Sequence, residues 1–299
     1  MNRPVGDLSL PMSAGDQRPL NALSVDVEDW FQVGAFEGVI DRGSWESLPT
    51  RVEANTDRVL ALFAQAEVTG TFFTLGWVAD RFPELMRRIV AAGHEVASHG
   101  YDHRRVFLMD AASFRADLLR TETAIRNACG VRPRGYRAPS FSIDARTPWA
   151  HEVLAELGYQ YSSSVAPIAH DHYGWRSAPR FGFRPIAGSD LIELPVTTIE
   201  VAGRRMAAGG GGFFRLLPYA FSRWALRRVN SEGSRPGIFY FHPWEIDPEQ
   251  PRVAGASVRS RLRHYSRLGA MAGKLRAVLR DFRWTTTSAV AAIEKARLP

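Results

Sequence analysis

The chain has 299 residues, 45% hydrophobic and 23% charged, a balance that fits a globular protein and excludes disordered and collagen-like classes. A single cysteine, Cys129, excludes an intramolecular disulfide, and no run of about 18 apolar residues marks a membrane span. The net charge of +7 is carried by arginine, with Lys274 and Lys295 the only lysines, which points to a coding bias rather than a nucleic-acid surface.

Residues 1–20, punctuated by Gly6, Pro11, Gly15 and Pro19, predict a flexible N-terminal arm. The start lacks an apolar segment after a basic one, so no signal peptide and a cytoplasmic location are expected. Short apolar runs then alternate with helical patterns. Strands are predicted at 22–27, 69–75, 94–98, 134–137, 159–163, 191–196, 237–242 and 282–286. Helices are predicted at 52–66, at 83–92 opened by Pro83, at 110–129 with Asp110 as N-cap and Gly130 beyond its end, and at 147–157, stopped by Gly158. Cys129, at the end of the third helix, is expected to pack in the core. This alternation predicts βα units and a parallel sheet, hence an α/β fold.

Two stretches break the rhythm. Residues 164–190 read as one long loop, the kind that compact domains usually keep for function. The run Gly209–Gly212 lacks the Lys-Ser/Thr of a phosphate loop and reads equally as a flexible lip of a groove or a hinge before a helix. The tail carries Arg259, Arg261, Arg263, Arg267, Lys274, Arg276 and Arg280. A solvated helix face is its first reading; peripheral contact with a membrane or with polysaccharide assembly machinery is its second.

The chemistry-bearing residues stand just past apolar runs, where α/β folds build their sites. Leu23-Ser24-Val25 leads into Asp26-Val27-Glu28-Asp29, and strand alternation puts Asp26 and Glu28 on one side. Three acids in four residues after a buried strand suit a cation better than a solvated turn. His99 and His103 can share one metal ion, whether on a helix or on a strand-to-loop turn opened by Gly100. Arg137, if buried before Ala138-Pro139, needs an anionic partner, which the acids supply. His242 ends the run Ile238–Phe241 and suits a proton donor near neutral pH. His94, His151, His170, His172 and His264 keep no such company.

Together these motifs resemble the polysaccharide deacetylase family, the NodB homology domain of carbohydrate esterases, over about residues 21–250. Within it the chain is most similar to the branch associated with exopolysaccharide and exosortase loci. The resemblance implies a distorted (β/α) barrel with fewer than eight regular strands, and residues 251–299 as a helical C-terminal extension packed on it. It implies metal-dependent hydrolysis of N-acetyl groups on hexosamines of an exopolysaccharide or its precursor, with a divalent metal, first of all Zn²⁺, as cofactor and an N-acetylhexosamine-containing glycan as partner. By the same resemblance Asp26 is the catalytic base, His242 the acid and Arg137 the partner of the base. The metal ligands are His99, His103 and either Glu28 or Asp29, with alternation favouring Glu28. Pro139 and the Ser140 amide would border the oxyanion. The family's usual aspartate-and-tryptophan motif is not evident near Tyr161–Ser164, which leaves the partner of His242 unassigned.

Trp244 is counted with Trp30, Phe31, Tyr173, Trp175 and Phe213 as aromatics that could stack on sugars, several of which must instead be core. Two other classes are expected to compete: a deformylase or amidase acting on a lipid-linked sugar, and a non-catalytic glycan-binding relative.

Overall fold

The computed structural model describes residues 18–169 and 174–298. Most of the expected N-terminal arm, together with His170, His172 and Tyr173, lies outside the described residues.

The eight predicted strands all form, and all belong to one sheet. They are β1 (Leu20–Val27), β2 (Thr71–Thr74), β3 (Glu95–Ser98), β4 (Gly135–Tyr136), β5 (Tyr161–Ser162), β6 (Ile192–Glu193), β9 (Ile238–Phe241) and β10 (Arg283–Thr285), separated in the chain by a hairpin of β7 (Thr198–Val201) and β8 (Arg204–Ala207). Every pairing in the main sheet is parallel. The sheet thus has eight strands where fewer were expected, although β4, β5 and β6 are two residues each.

β1 is the hub. It pairs with β2 through Ser24–Val27, with β9 through Ala22–Val25 and with β10 through Leu20–Ala22. A strand enclosed on both faces must be apolar almost throughout, and β1 is buried from Asn21 onward. Its polar Ser24 is accommodated by donating to the Phe239 carbonyl at 2.9 Å.

The sheet curls into a half-barrel with helices α1 (Val52–Gln65), α2 (Gly76–Arg81), α3 (Pro83–Ala91), α4 (Ala111–Cys129) and α5 (Trp149–Glu156) following successive strands. The predicted helix signals operate as read. Asp110 caps α4 by accepting from the Ser113 N–H at 2.8 Å, and Gly130 ends it at φ 76°. Cys129 is half-buried against the main core.

Among the described residues no strand ladder joins β6 to β9 to close the barrel. Single contacts span the gap instead: Ile238 N–H donates to Thr197 Oγ1 at 2.5 Å, and Tyr240 N–H to the Gly209 carbonyl at 2.8 Å. The glycine run is therefore neither a phosphate loop nor a free lip. Gly210, at φ 115°, lies so close to β9 that a Cβ would fall 2.0 Å from the Tyr240 carbonyl oxygen.

The run leads into α6 (Gly211–Leu216) and α7 (Tyr219–Ser231), and the tail forms α8 (Val258–Tyr265), α9 (Leu268–Asp281) and α10 (Thr287–Lys295). The C-terminal segment is thus more than a helical layer on the barrel, because β10 adds a strand beside β1. α9 packs Leu268, Met271, Leu275, Val278 and Leu279 into the main core, each such burial worth about 1.5–3 kcal/mol. No helix among the described residues is long and apolar enough to cross a membrane.

Candidate active site

A cavity of about 550 Å³ opens where β1, β3 and β9 end, lined by Asp26, Glu28, His99, His103, Ser140 and His242 among others. These residues enter the fold from four separate segments of the chain.

Glu28 follows β1 directly, and its Oε2 lies 2.9 Å from His103 Nε2. Glu28, His99 and His103 bring one ligand atom each within 4.8 Å of one another, and all three are buried. His99 sits at the end of β3, and its Nδ1 donates to the Arg137 carbonyl at 2.8 Å, which leaves Nε2 as the ligating nitrogen. His103 lies on a loop with φ 58°, so the pair occupies a strand-to-loop turn and not a helix. That loop is pinned by Tyr101, whose hydroxyl donates to Asp80 at 2.8 Å and whose ring underlies Arg120.

This donor set fits a divalent cation of the zinc type: two imidazoles and one carboxylate, with Glu28 Oε2 buried and accepting no hydrogen bond. Burial alone would raise the Glu28 carboxyl, but His103 and His242 outweigh it and hold it down at about 2. Burial pushes His99 down to about 4, so its imidazole is neutral and able to ligate.

Asp29 is turned elsewhere. Its carboxylate accepts from the N–H groups of Trp30 at 2.8 Å, Arg51 at 2.7 Å and Val52 at 3.0 Å, closing the N-terminus of α1, where Arg51 offers no side-chain cap. Of the two carboxylates offered as third ligand, only Glu28 stands with the imidazoles. Burial raises the Asp29 carboxyl to about 6 despite these three donors.

Asp26 Oδ1 receives Arg137 Nη1 at 2.7 Å. The guanidinium is fully buried and also donates to Ser24 Oγ, the Ser163 carbonyl and Ser163 Oγ, over the ring of Phe73. A buried arginine with every donor edge engaged orients its carboxylate rigidly. Asp26 Oδ2 then faces His242 Nε2 at 4.0 Å, across the cavity floor. Pro139 is buried, and Ser140 lines the cavity with a left-handed backbone, φ 53°.

The partner that His242 lacked is Glu245, three residues on in a 3-10 turn opened by Pro243. Its Oε1 receives His242 Nδ1 at 2.7 Å. Behind it stands Arg215 of α6, whose Nε lies 3.3 Å from Glu245 Oε2. Burial would lower His242, but Glu28, Glu245 and Asp26 outweigh it and lift it to about 9. His242 is thus protonated at neutral pH, with Nε2 directed at the cavity and 3.7 Å from Glu28 Oε1.

The aromatic expectations are largely corrected. Trp30 and Phe31 are core residues, and Trp244 is no open platform. Its indole is buried, stacks on His264 at 4.2 Å and on His242 at 5.1 Å, and donates Nε1–H to Glu28 at 3.1 Å. His264, read from sequence as isolated, belongs to this wall. Of those six aromatics, Trp244 alone lines the cavity among the described residues. His151 pairs instead with Glu193, and His94 packs on Phe63 and Phe72.

Residues 40–162 match the polysaccharide deacetylase family, and residues 163–292 match a domain of unknown function, DUF3473. A chitooligosaccharide deacetylase of Bradyrhizobium sp. is 37% identical over 142 residues, 47% of this chain and 58% of the relative. A peptidoglycan deacetylase of Helicobacter pylori is 34% identical over 113 residues, 38% of each chain. The matched segments thus span only about 38–58% of these two relatives. A crystal structure from Mycobacterium smegmatis, assigned to the polysaccharide deacetylases, superposes with a TM-score of 0.63 over 96% of this chain and 94% of that one, at 23% identity. That likeness concerns the fold. Residues 40–162 therefore form a polysaccharide deacetylase domain, which contains His99, His103 and Arg137, and the sheet continues through the residues that match DUF3473.

Proposed function

We propose that the chain is a metal-dependent N-deacetylase that hydrolyses acetamido groups of hexosamines in a polysaccharide or its precursor. The observation that carries this reading is the convergence, in one cavity, of the Glu28–His99–His103 cluster, the Asp26–Arg137 pair and a protonated His242. A divalent cation held by Glu28, His99 and His103, Zn²⁺ being the best match to two imidazoles and a carboxylate, would polarise the acetyl carbonyl and favour ionisation of the attacking water.

The protein's own groups do the rest. Asp26, fixed by Arg137, takes the proton of the attacking water through its free oxygen. His242 gives its Nε2 proton to the departing amine, and Glu245 compensates the imidazolium and fixes its orientation. The N–H of Ser140, a residue of the cavity wall, is assigned to the oxyanion. Acetate and a free amino sugar result. The exopolysaccharide setting rests on the resemblance of the Trp244–Pro248 continuation and the basic tail.

The test is acetate release from N-acetylglucosamine oligomers by metal-stripped protein, before and after Zn²⁺ is restored, with His99→Ala as control. Metal-restored release absent from the control is expected. Tight metal binding without release would remove the N-acetyl reading, and no metal binding would remove the mechanism.

A further inference from the structure

Charge is unevenly spread along the chain. Residues 201–231 hold six arginines, and residues 250–280 hold seven arginines and Lys274, yet neither stretch holds one of the 31 acids. The whole chain is only +7, so everything outside these two stretches is net negative. The acids that follow them directly, Glu232 and Asp281, are engaged by Arg180 and Arg223.

The fold packs the two stretches against each other. α6 meets α8 through Arg215, which donates to the carbonyls of Arg263 and His264. It meets α9 through Lys274, which donates to the carbonyls of Phe214, Arg215 and Leu217. Gly212 of α6 and Ser260 of α8 line the cavity, so this basic layer borders its mouth.

The same layer is studded with apolar side chains. Of the ten large hydrophobic residues exposed among the described residues, seven belong to these two stretches. Phe213 and Leu216 of α6 are 41% and 39% exposed, and Val258 and Leu262 of α8 are 71% and 63% exposed. Each pair is spaced to share a helix face, and Arg261 lies on the face of Val258 and Leu262. A soluble polyanion would satisfy the cations and leave these apolar groups in water. An anionic bilayer takes both, the cations at its phosphates and the apolar groups among its acyl chains.

We propose that α6 and α8 form a docking face for an anionic phospholipid surface. Phe213, Leu216, Val258 and Leu262 enter the headgroup layer, and exposed cations such as Arg261 and Arg276 meet the phosphates. The contact is peripheral, and it holds the cavity mouth at the lipid surface. The proposal goes beyond the deacetylase reading and does not depend on it.

The test sediments the full chain with vesicles of phosphatidylcholine alone and of phosphatidylcholine mixed equally with phosphatidylglycerol. Binding to the anionic vesicles is expected to be at least about tenfold stronger at low salt and to weaken as ionic strength rises. Val258→Gln/Leu262→Gln and Arg261→Gln/Arg276→Gln should each weaken it by about tenfold. Leu108→Gln/Leu119→Gln, an exposed apolar pair outside the two stretches, should leave it unchanged.

No binding, equal binding to both vesicles, or binding that survives both face variants would overturn the proposal. A salt-sensitive dimer in sedimentation velocity without lipid, lost in the same variants, would assign the face to a second copy and also overturn it. So would binding to a hexuronic acid oligomer with none to vesicles. None of these measurements reads acetate release, so their failure leaves the deacetylase reading standing, and the converse holds.

Discussion

On the wall built from the first half of the chain, His99 is pushed down to about 4; on the wall built from the second half, His242 is lifted to about 9. His99 is buried and His242 half-buried, and desolvation alone would lower both. The difference lies in the charges around each ring. His99 has a backbone carbonyl at Nδ1, which fixes its tautomer and adds no full charge. His242 has the carboxylate of Glu245 at Nδ1 and faces Glu28 and Asp26 with Nε2. A neutral imidazole can ligate a cation and a charged one can donate a proton. One cavity thus separates two roles for the same side chain by the charges placed around it.

The base tests this division most severely. Asp26→Asn should lower acetate release by about 10³-fold, within the usual range for removing a general base, while metal content measured by elemental analysis stays at the level of the unaltered protein. Release within tenfold of that protein's would remove Asp26 as base.

The two neighbouring carboxylates should then part company. Glu28→Gln is expected to weaken zinc binding by at least about 100-fold, since even outer-shell changes cost 10- to 100-fold. Asp29→Asn should leave zinc affinity alone and cost about 1–2 kcal/mol of stability through the lost cap of α1. Zinc titration followed by denaturant unfolding reads both, and the reverse pattern would exchange their roles.

On the opposite wall, Glu245→Gln should lower kcat by roughly 10- to 100-fold without loss of metal. The Glu245 charge raises His242, so its removal lets the imidazolium lose its proton at lower pH. The alkaline limb of the kcat profile should therefore move to lower pH. An unmoved limb would separate that limb from His242.

A further effect, on stability alone, concerns His264, which burial and the nearby Arg215 charge push down to about 3. The unfolded chain takes up this proton near pH 6.5 and the folded one only near 3. Stability is therefore full above 6.5 and falls by about 1.4 kcal/mol per pH unit below it. His264→Phe, which keeps a ring against Trp244, should flatten that acid slope in urea melts. An identical slope would place the loss at other groups.

The legibility of the two walls differs for a physical reason. The strand-end residues Asp26, His99, Arg137 and His242 were readable because a buried parallel strand leaves a continuous apolar run, and any ionisable group at its end is conspicuous. His99 and His103 carry their own spacing as well. Glu245 stood in the sequence three residues after His242, but its role needed the 3-10 turn that Pro243 opens. Arg215 and His264 had no local signal at all. Arg215 follows a glycine run whose approach to β9 depends on the unladdered gap beside β6.

By itself, then, the sequence determined the alternating strands and helices, the parallel sheet and the first shell of ionisable groups, because apolar periodicity and strand termini are local properties of the chain. It left open whether Glu28 or Asp29 joins the imidazoles, since both follow β1 within two residues. Only the tertiary structure set Glu28 beside the imidazoles and carried the N-terminus of α1 against Asp29, and only it joined Arg215, Glu245 and α8 behind His242. Those contacts link residues between 22 and 48 positions apart, and no local pattern encodes which distant backbone amides, carbonyls or side chains a buried charge will meet.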